Sequence, residues 1–178
     1  MYKKIKNIDL KRKTIKDFKS SIKIPLTLIL DDIRSLNNIG SVFRNADAFL
    51  IKKVFLCGIS GVPPNKDINK TALGSTDSVE WEYYKSSYTL IDKLKKNGIN
   101  VYAIEQTENA ILLNNFIVES NNEYAFILGN EINGVSQDLI DLCDGVIEIP
   151  QFGTKHSLNI AVCSGIITWD FYKKFNSL

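Results

Sequence analysis

The chain has 178 residues, 44% of them hydrophobic and 24% charged, with a formal net charge of +2. Those proportions are ordinary for a globular domain and large enough for one well-filled core. No apolar run approaches the roughly 18 residues that span a bilayer, and no apolar stretch follows the lysine-rich start as it would in a secretory signal, so the expected compartment is the cytoplasm and no membrane partner is expected.

The charge is unevenly placed. Residues 1–23 carry nine basic and two acidic side chains, a local charge of +7, which leaves −5 for the remainder. Ile8, Ile15, Phe18 and Ile22 fall at near-helical spacing, so residues 1–24 read as a basic helical arm with an apolar side laid on the body. Such an arm suits a polyanionic partner or is simply a solvated helix face. The body, residues 25–178, begins with the apolar run Pro25 to Leu30, closed by Asp31 and Asp32, which reads as a buried parallel strand. Asn38, a good N-cap residue, opens a helical stretch to about Leu50 with Val42, Phe43, Ala46 and Phe49 as its stripe.

Lys53 to Cys57 reads as a second strand and Gly58 to Asn65 as a turn-rich loop. Val79 to Tyr83 alternates like a strand with one wet face, and Tyr88 to Lys96 is an amphipathic helix stopped by Asn97 and Gly98. Further strands are read at Asn100 to Ile104, Tyr124 to Leu128 and Val146 to Ile149, with a short helix opening at Ser136. Ser157, in the position of an N-cap, begins a last helix to about Phe175. Strands alternating with helices along the whole length imply an α/β fold, a mostly parallel sheet with helices on both faces, in one domain.

Three segments leave predicted strands with polar residues or glycines: Asn38 to Arg44, Leu128 to Gly134, and Ile149-Pro150 through Ser157-Leu158-Asn159. Ligand sites in open α/β sheets lie beyond the carboxyl ends of strands, so the three are expected to share one pocket. Gly129 and Gly134 bracket Asn130 to Asn133, either to let backbone approach a flat heterocycle or to make a tight strand-to-helix turn. Arg44, one of three arginines against nineteen lysines, is either a phosphate-gripping fork or a surface ion pair. No glycine fingerprint of a dinucleotide site or P-loop is present, nor a nucleophile elbow. The cysteines (Cys57, Cys143 and Cys163) and the lone His156 lack metal-ligand spacing, so no metal is expected, and Cys57 and Cys163 read as core residues.

Asn38 with Arg44 six residues on, Leu128-Gly129-x-Glu131-x-x-Gly134, and Ile149-Pro150 followed by Ser157-Leu158-Asn159 resemble the three motifs of the SpoU (TrmH-like) RNA 2′-O-ribose methyltransferases of the SPOUT superfamily. The resemblance covers roughly residues 25–175. It implies a C-terminal part threaded into a deep trefoil knot, S-adenosylmethionine as methyl donor, and a homodimer with the active site at its interface. It also implies that backbone around Leu128, Gly129, Ile149 and Leu158, with the Glu105-Gln106 loop, holds the donor's adenosine. Arg44 then corresponds to the catalytic arginine, oriented by Glu131, while Asn38, Glu131, Ser157 and Asn159 shape the site and orient substrate. The 24 residues before the first strand are too short for the separate RNA-binding domain of some members, which favours tRNA as substrate over rRNA. An RNA-binding homologue without catalysis and a nucleotide-binding metabolic enzyme are the rival readings. The aromatics Trp169, Phe171, Tyr172 and Phe175 suit either a dimer interface or a packed core helix.

Overall fold

The computed structural model describes residues 1–177. Seven strands form one sheet: β1 (Ile24–Asp31), β2 (Ile51–Cys57), β3 (Trp81–Tyr84), β4 (Asn100–Ile104), β5 (Ile111–Leu112), β6 (Tyr124–Leu128) and β7 (Gly145–Glu148). Their order is β3-β2-β1-β6-β4-β7-β5, and every pairing is parallel. The helices are α1 (Ile15–Ser20), α2 (Leu36–Ala48), α3 (Lys66–Ala72), α4 (Ser75–Ser78), α5 (Ser87–Lys96), α6 (Gln137–Ile140) and α7 (Ile160–Phe175).

The unbroken apolar character of the central strands follows from burial on both faces. Leu26, Leu28 and Leu30 of β1 point with Phe126 and Leu128 into a cluster that takes in Val42 and Phe43 of α2 and Ile167 and Phe171 of α7. Ile29, one register position away, joins Ala125, Ile127, Ala103 and the inner face of α5, Leu90, Ile91 and Leu94. Helices therefore cover both faces, as the sequence pattern implies.

The structure moves two helix starts. Helix α2 is capped by Ser35, whose Oγ accepts from the Asn38 amide at 3.3 Å, so Asn38 sits inside the first turn with its side chain free for other bonds. Helix α7 is capped by Asn159, whose Oδ1 accepts from the Ala161 amide at 2.8 Å, and Ser157 stands two residues outside the helix. The arm is also less helical than its periodicity suggests. Only a 3₁₀ turn at Asn7–Leu10 and α1 form, and before β1 opens at the buried Ile24 only Phe18 is buried, while Ile8, Ile15 and Ile22 stay exposed. Six residues of helix give one capped turn and a half, enough to seat a single apolar side chain.

Two short helices between β2 and β3 fill a stretch that the sequence pattern leaves unassigned. Helix α3 packs tightly on α2: the Thr71 hydroxyl donates to the Asn37 carbonyl at 2.8 Å, and a Cβ on Gly40 would overlap the Ile68 carbonyl and the Thr71 hydroxyl. Gly40→Ala should therefore separate the two helices. It should cost about 1–3 kcal/mol and lower the thermal midpoint by roughly 3–10 °C in a calorimetric scan; an unchanged midpoint would show that the helix pair tolerates the methyl group.

Candidate active site

Four neighbouring strands explain why distant loops meet. β1, β6, β4 and β7 lie side by side and all run the same way, so the segments that leave their carboxyl ends emerge at one edge of the sheet. These segments are residues 32–38, 129–136, 105–107 and 149–159. Between the last three lies a cavity of about 650 Å³. Leu128, Gly129, Glu105, Gln106, Ile149 and Leu158 all line it, as do Glu131, Ser157 and Asn159.

Glu131 ties the β6 loop to the β1 loop. One carboxylate oxygen accepts from the Arg34 amide at 3.0 Å; the other accepts from the Ser35 amide at 3.0 Å and from Asn38 Nδ2 at 3.1 Å. Asn38 Oδ1 in turn accepts from Asn159 Nδ2 at 3.2 Å, which carries the chain of bonds onto the first turn of α7. Partial burial pushes the Glu131 carboxyl up, but the amides of Arg34 and Ser35 and the Asn38 side chain outweigh it and hold the group below its ordinary value. Glu131 is thus an anion engaged by three donors, a fixed strut and a poor proton acceptor.

The glycine turn has a structural reason. A Cβ on Gly129 would overlap the backbone of Gly134 and Val135, and one on Gly134, at φ +65°, would overlap the Glu105 carboxylate. The Asn130 side chain folds the turn from within: Oδ1 accepts from the amides of Ile132 and Asn133 at 3.0 and 3.2 Å, and Nδ2 donates to the Asp32 carbonyl at 2.8 Å. The tight-turn reading of the glycines therefore holds, and the turn is itself a cavity wall. Glu105 accepts from the amides of Gln106 and Val135 at 2.9 and 3.0 Å, and Gln106 Nε2 reaches across to the His156 carbonyl at 2.6 Å. Asn130 is a site-building residue to which sequence reasoning gave no role; an asparagine just after a strand, able to bond amides two and three positions on, is the available signal.

Arg44 departs from expectation. It is exposed on α2, does not line the cavity, and makes no hydrogen bond or ion pair among the described residues. Glu131 does not orient it, because the three donors of the β1–α2 connection already occupy that carboxylate. What holds Arg44 in place is its neighbour: Asn45 Nδ2 donates to the Ala161 carbonyl at 3.0 Å and to Ser164 Oγ at 2.7 Å, locking α2 onto α7. Cys163 is half-buried, packed against the main core cluster with one side on the cavity wall; burial pushes its thiol up to about 12, so it is not a nucleophile at neutral pH.

A parallel sheet with a large cavity beyond the carboxyl ends of its strands, lined by polar and aliphatic side chains and a glycine turn, defines an α/β protein with a ligand-sized site at its sheet edge. The chain belongs to the SpoU rRNA Methylase family, whose model matches residues 25–169. It is 29% identical over 147 residues to the 23S rRNA (guanosine-2′-O-)-methyltransferase RlmB of Blochmanniella floridana, a match that covers 83% of this chain and 57% of that protein. The chain thus spans little more than half the length of that curated relative. The SpoU methyltransferase AviRb of Streptomyces viridochromogenes, solved with AdoMet, superposes with a TM-score of 0.79 at 22% identity over 91% of this chain and 65% of that one. A structure concerned with 2-OH methylation of C/U34 on tRNA superposes with a TM-score of 0.77 at 20% identity, covering 87% of this chain and 100% of that one. At these identities the structural matches speak for the fold.

The Glu131 strut has a pH signature. A carboxyl held low in the folded state stabilises the fold above its unfolded value and loses that contribution as pH falls through the lowered one. The stability difference between wild type and Glu131→Gln should therefore be constant above about pH 5 and shrink below about pH 4 in urea titrations. A difference that widens in acid would contradict the strut.

Proposed function

We propose that the chain transfers a methyl group from S-adenosylmethionine to a ribose 2′-hydroxyl of RNA, with tRNA favoured over rRNA as the substrate. The observation that carries this reading is the Glu131–Asn38–Asn159 chain of hydrogen bonds at the mouth of the cavity, in a member of a family of RNA methylases. The match to a structure concerned with methylation on tRNA, which covers the whole of that chain, leans this reading towards tRNA.

The cavity suits the donor. Its volume of about 650 Å³ accommodates a nucleoside with an amino-acid tail, and Ile104, Leu128, Ile149 and Leu158 offer apolar walls for a purine. Backbone of the 129–134 turn and of 149–158 would hold the adenosine, and Glu105 with Gln106 would line the ribose side. S-adenosylmethionine, when bound, supplies an electrophilic methyl group on sulfur and departs as S-adenosylhomocysteine.

The residues of this chain then have a positioning task. Asn38 and Asn159 fix each other and present amide groups beside the acceptor, and Ser157 adds a hydroxyl on the same rim. Glu131, depressed and triply bonded, holds Asn38 in place and leaves the substrate proton alone. Arg44 would clamp the phosphate next to the acceptor sugar and stabilise charge as it develops on oxygen, while the hydroxyl proton passes to water. A homodimer reconciles this role with its position. Val162, Ile166 and Trp169 stand exposed at successive turns of α7, the helix that Asn45 locks to α2, so a second copy covering that stripe would come to lie beside Arg44. Phe171 is buried and Tyr172 and Phe175 pack on the core, so Trp169 is the aromatic left for such an interface.

The trefoil knot is part of the same proposal. β6 enters the sheet between β1 and β4 after β5 has been laid at the far edge, and β7 then slots between β4 and β5; such late insertion is what a threaded C-terminal part requires, against the usual rule of unthreaded connections. The basic arm, whose residues 1–14 are exposed throughout, would meet the RNA backbone.

Incubation with methyl-labelled S-adenosylmethionine and unmodified tRNA or rRNA transcripts, followed by nuclease mapping, tests the reading; label at an internal ribose of tRNA is expected, and no label in any RNA would refute it. Arg44→Lys should lower transfer roughly 100-fold, because lysine lacks the planar fork. His156→Ala should keep most activity, because it is the backbone carbonyl at that position, and not the imidazole, that bonds Gln106.

A further inference from the structure

One aromatic ring at the rim of the cavity has nothing on it. Phe152 is 97% exposed, in a segment where every residue from 152 to 159 is exposed. The residue before it, Gln151, lines the cavity, as does the run His156 to Asn159 that closes the same loop. Ile132, on the glycine turn that forms another wall, is 75% exposed. Leaving a phenylalanine wholly in water beside a cavity forgoes the free energy of burial that a partner laid on the ring would recover.

The charge around the ring says which partner. From Ile149 to Trp169 the chain has no aspartate or glutamate, while Lys155 lies three residues from Phe152 in the same exposed loop. Arg34, on the connection that Glu131 holds, is exposed and its guanidinium has no bond among the described residues. A bare ring on an exposed loop that carries Lys155 and no acid has the chemistry that receives a nucleobase by its flat face and an adjoining phosphate by charge.

We propose that Phe152 is the stacking platform for an unpaired nucleobase of the RNA, at or next to the nucleotide whose ribose enters the cavity. The inference rests on the RNA methylation reading and deepens it. A nucleotide splayed out of the helical stack brings its 2′-hydroxyl most easily to a recessed donor, and the stacking lost in that step is replaced by an aromatic ring on the protein. Every base has a π-face, so the ring contributes to grip and little to the choice of base.

The test compares Phe152→Ala, Phe152→Leu and Phe152→Trp, changes at an exposed position that leave the fold intact. KM and kcat are measured with the unmodified transcript that accepts the methyl group, and affinity is measured by anisotropy with a fluorescent single-stranded oligoribonucleotide in the presence of S-adenosylhomocysteine. Phe152→Ala should raise KM and the oligonucleotide Kd about tenfold with kcat little changed; Trp should restore both and Leu should not. Affinity for S-adenosylhomocysteine should stay at the wild-type value. Rescue by Leu as full as by Trp would overturn stacking, as would an unchanged KM and Kd in the Ala variant. A change of oligomeric state in the Ala variant on sedimentation would assign the ring to a second copy of the chain and overturn the proposal too. A wild type that methylates no RNA would defeat the activity reading alone, because the anisotropy comparison still decides the stacking.

Discussion

The site depends on one carboxylate that is held as an anion by amides of a different loop. Glu131 leaves β6, and its partners at Arg34, Ser35 and Asn38 belong to the connection that leaves β1. Those strands are neighbours in parallel register, with Leu30 opposite Leu128, so their exits lie close together whatever the loops contain. The carboxylate turns proximity into a fixed relation. Through Asn38 it also sets the side chain of Asn159, which caps α7 with its other amide atom. Bonds from N–H groups to an ionised acceptor are stronger than neutral ones, which suits a strut placed where water has access.

The cavity wall follows the same logic of replacement. Where Gly129 and Gly134 face each other, backbone stands in the space that side chains would take, and Asn130 supplies the turn's bonds from inside. The result is a surface of peptide groups and aliphatic carbons with few free charges, since Glu105 and Glu131 are both satisfied by amides. Unpaired cations stand outside it, at Arg34 and Arg44 and along the arm. A mixed polar and aliphatic cavity, with exposed cations at Arg34, Arg44 and along the arm, fits a small nucleoside-like donor within and a polyanion without.

Much of this was legible in the residues. The central strands β1 and β6 are apolar and closed by turn residues, because burial on both faces permits little else; Asn100–Ile104 and Tyr124–Leu128 stand where the pattern places them. Helix starts were less legible, since Ser35 and Asn38, or Ser157 and Asn159, are equally good caps in isolation, and tertiary bonds decide between them. Helices α3 and α4 are short and polar, and β5 is two residues long, so none has a periodicity to detect. The arm's apolar spacing suggested a longer docked helix than the single anchor Phe18 supports. Arg44 was found by its motif, yet its separation from the cavity of its own chain is a matter of helix placement that no local pattern encodes.

The central claim, that three strand exits, braced by a fourth, converge to seat a methyl donor, is tested most directly by amide hydrogen exchange with and without S-adenosylhomocysteine. Protection is predicted together in residues 104–107, 128–135 and 149–159, with no change in the arm or in 76–81 at the opposite ends of the strands. Protection confined to any one segment, or located away from all three, would contradict the account.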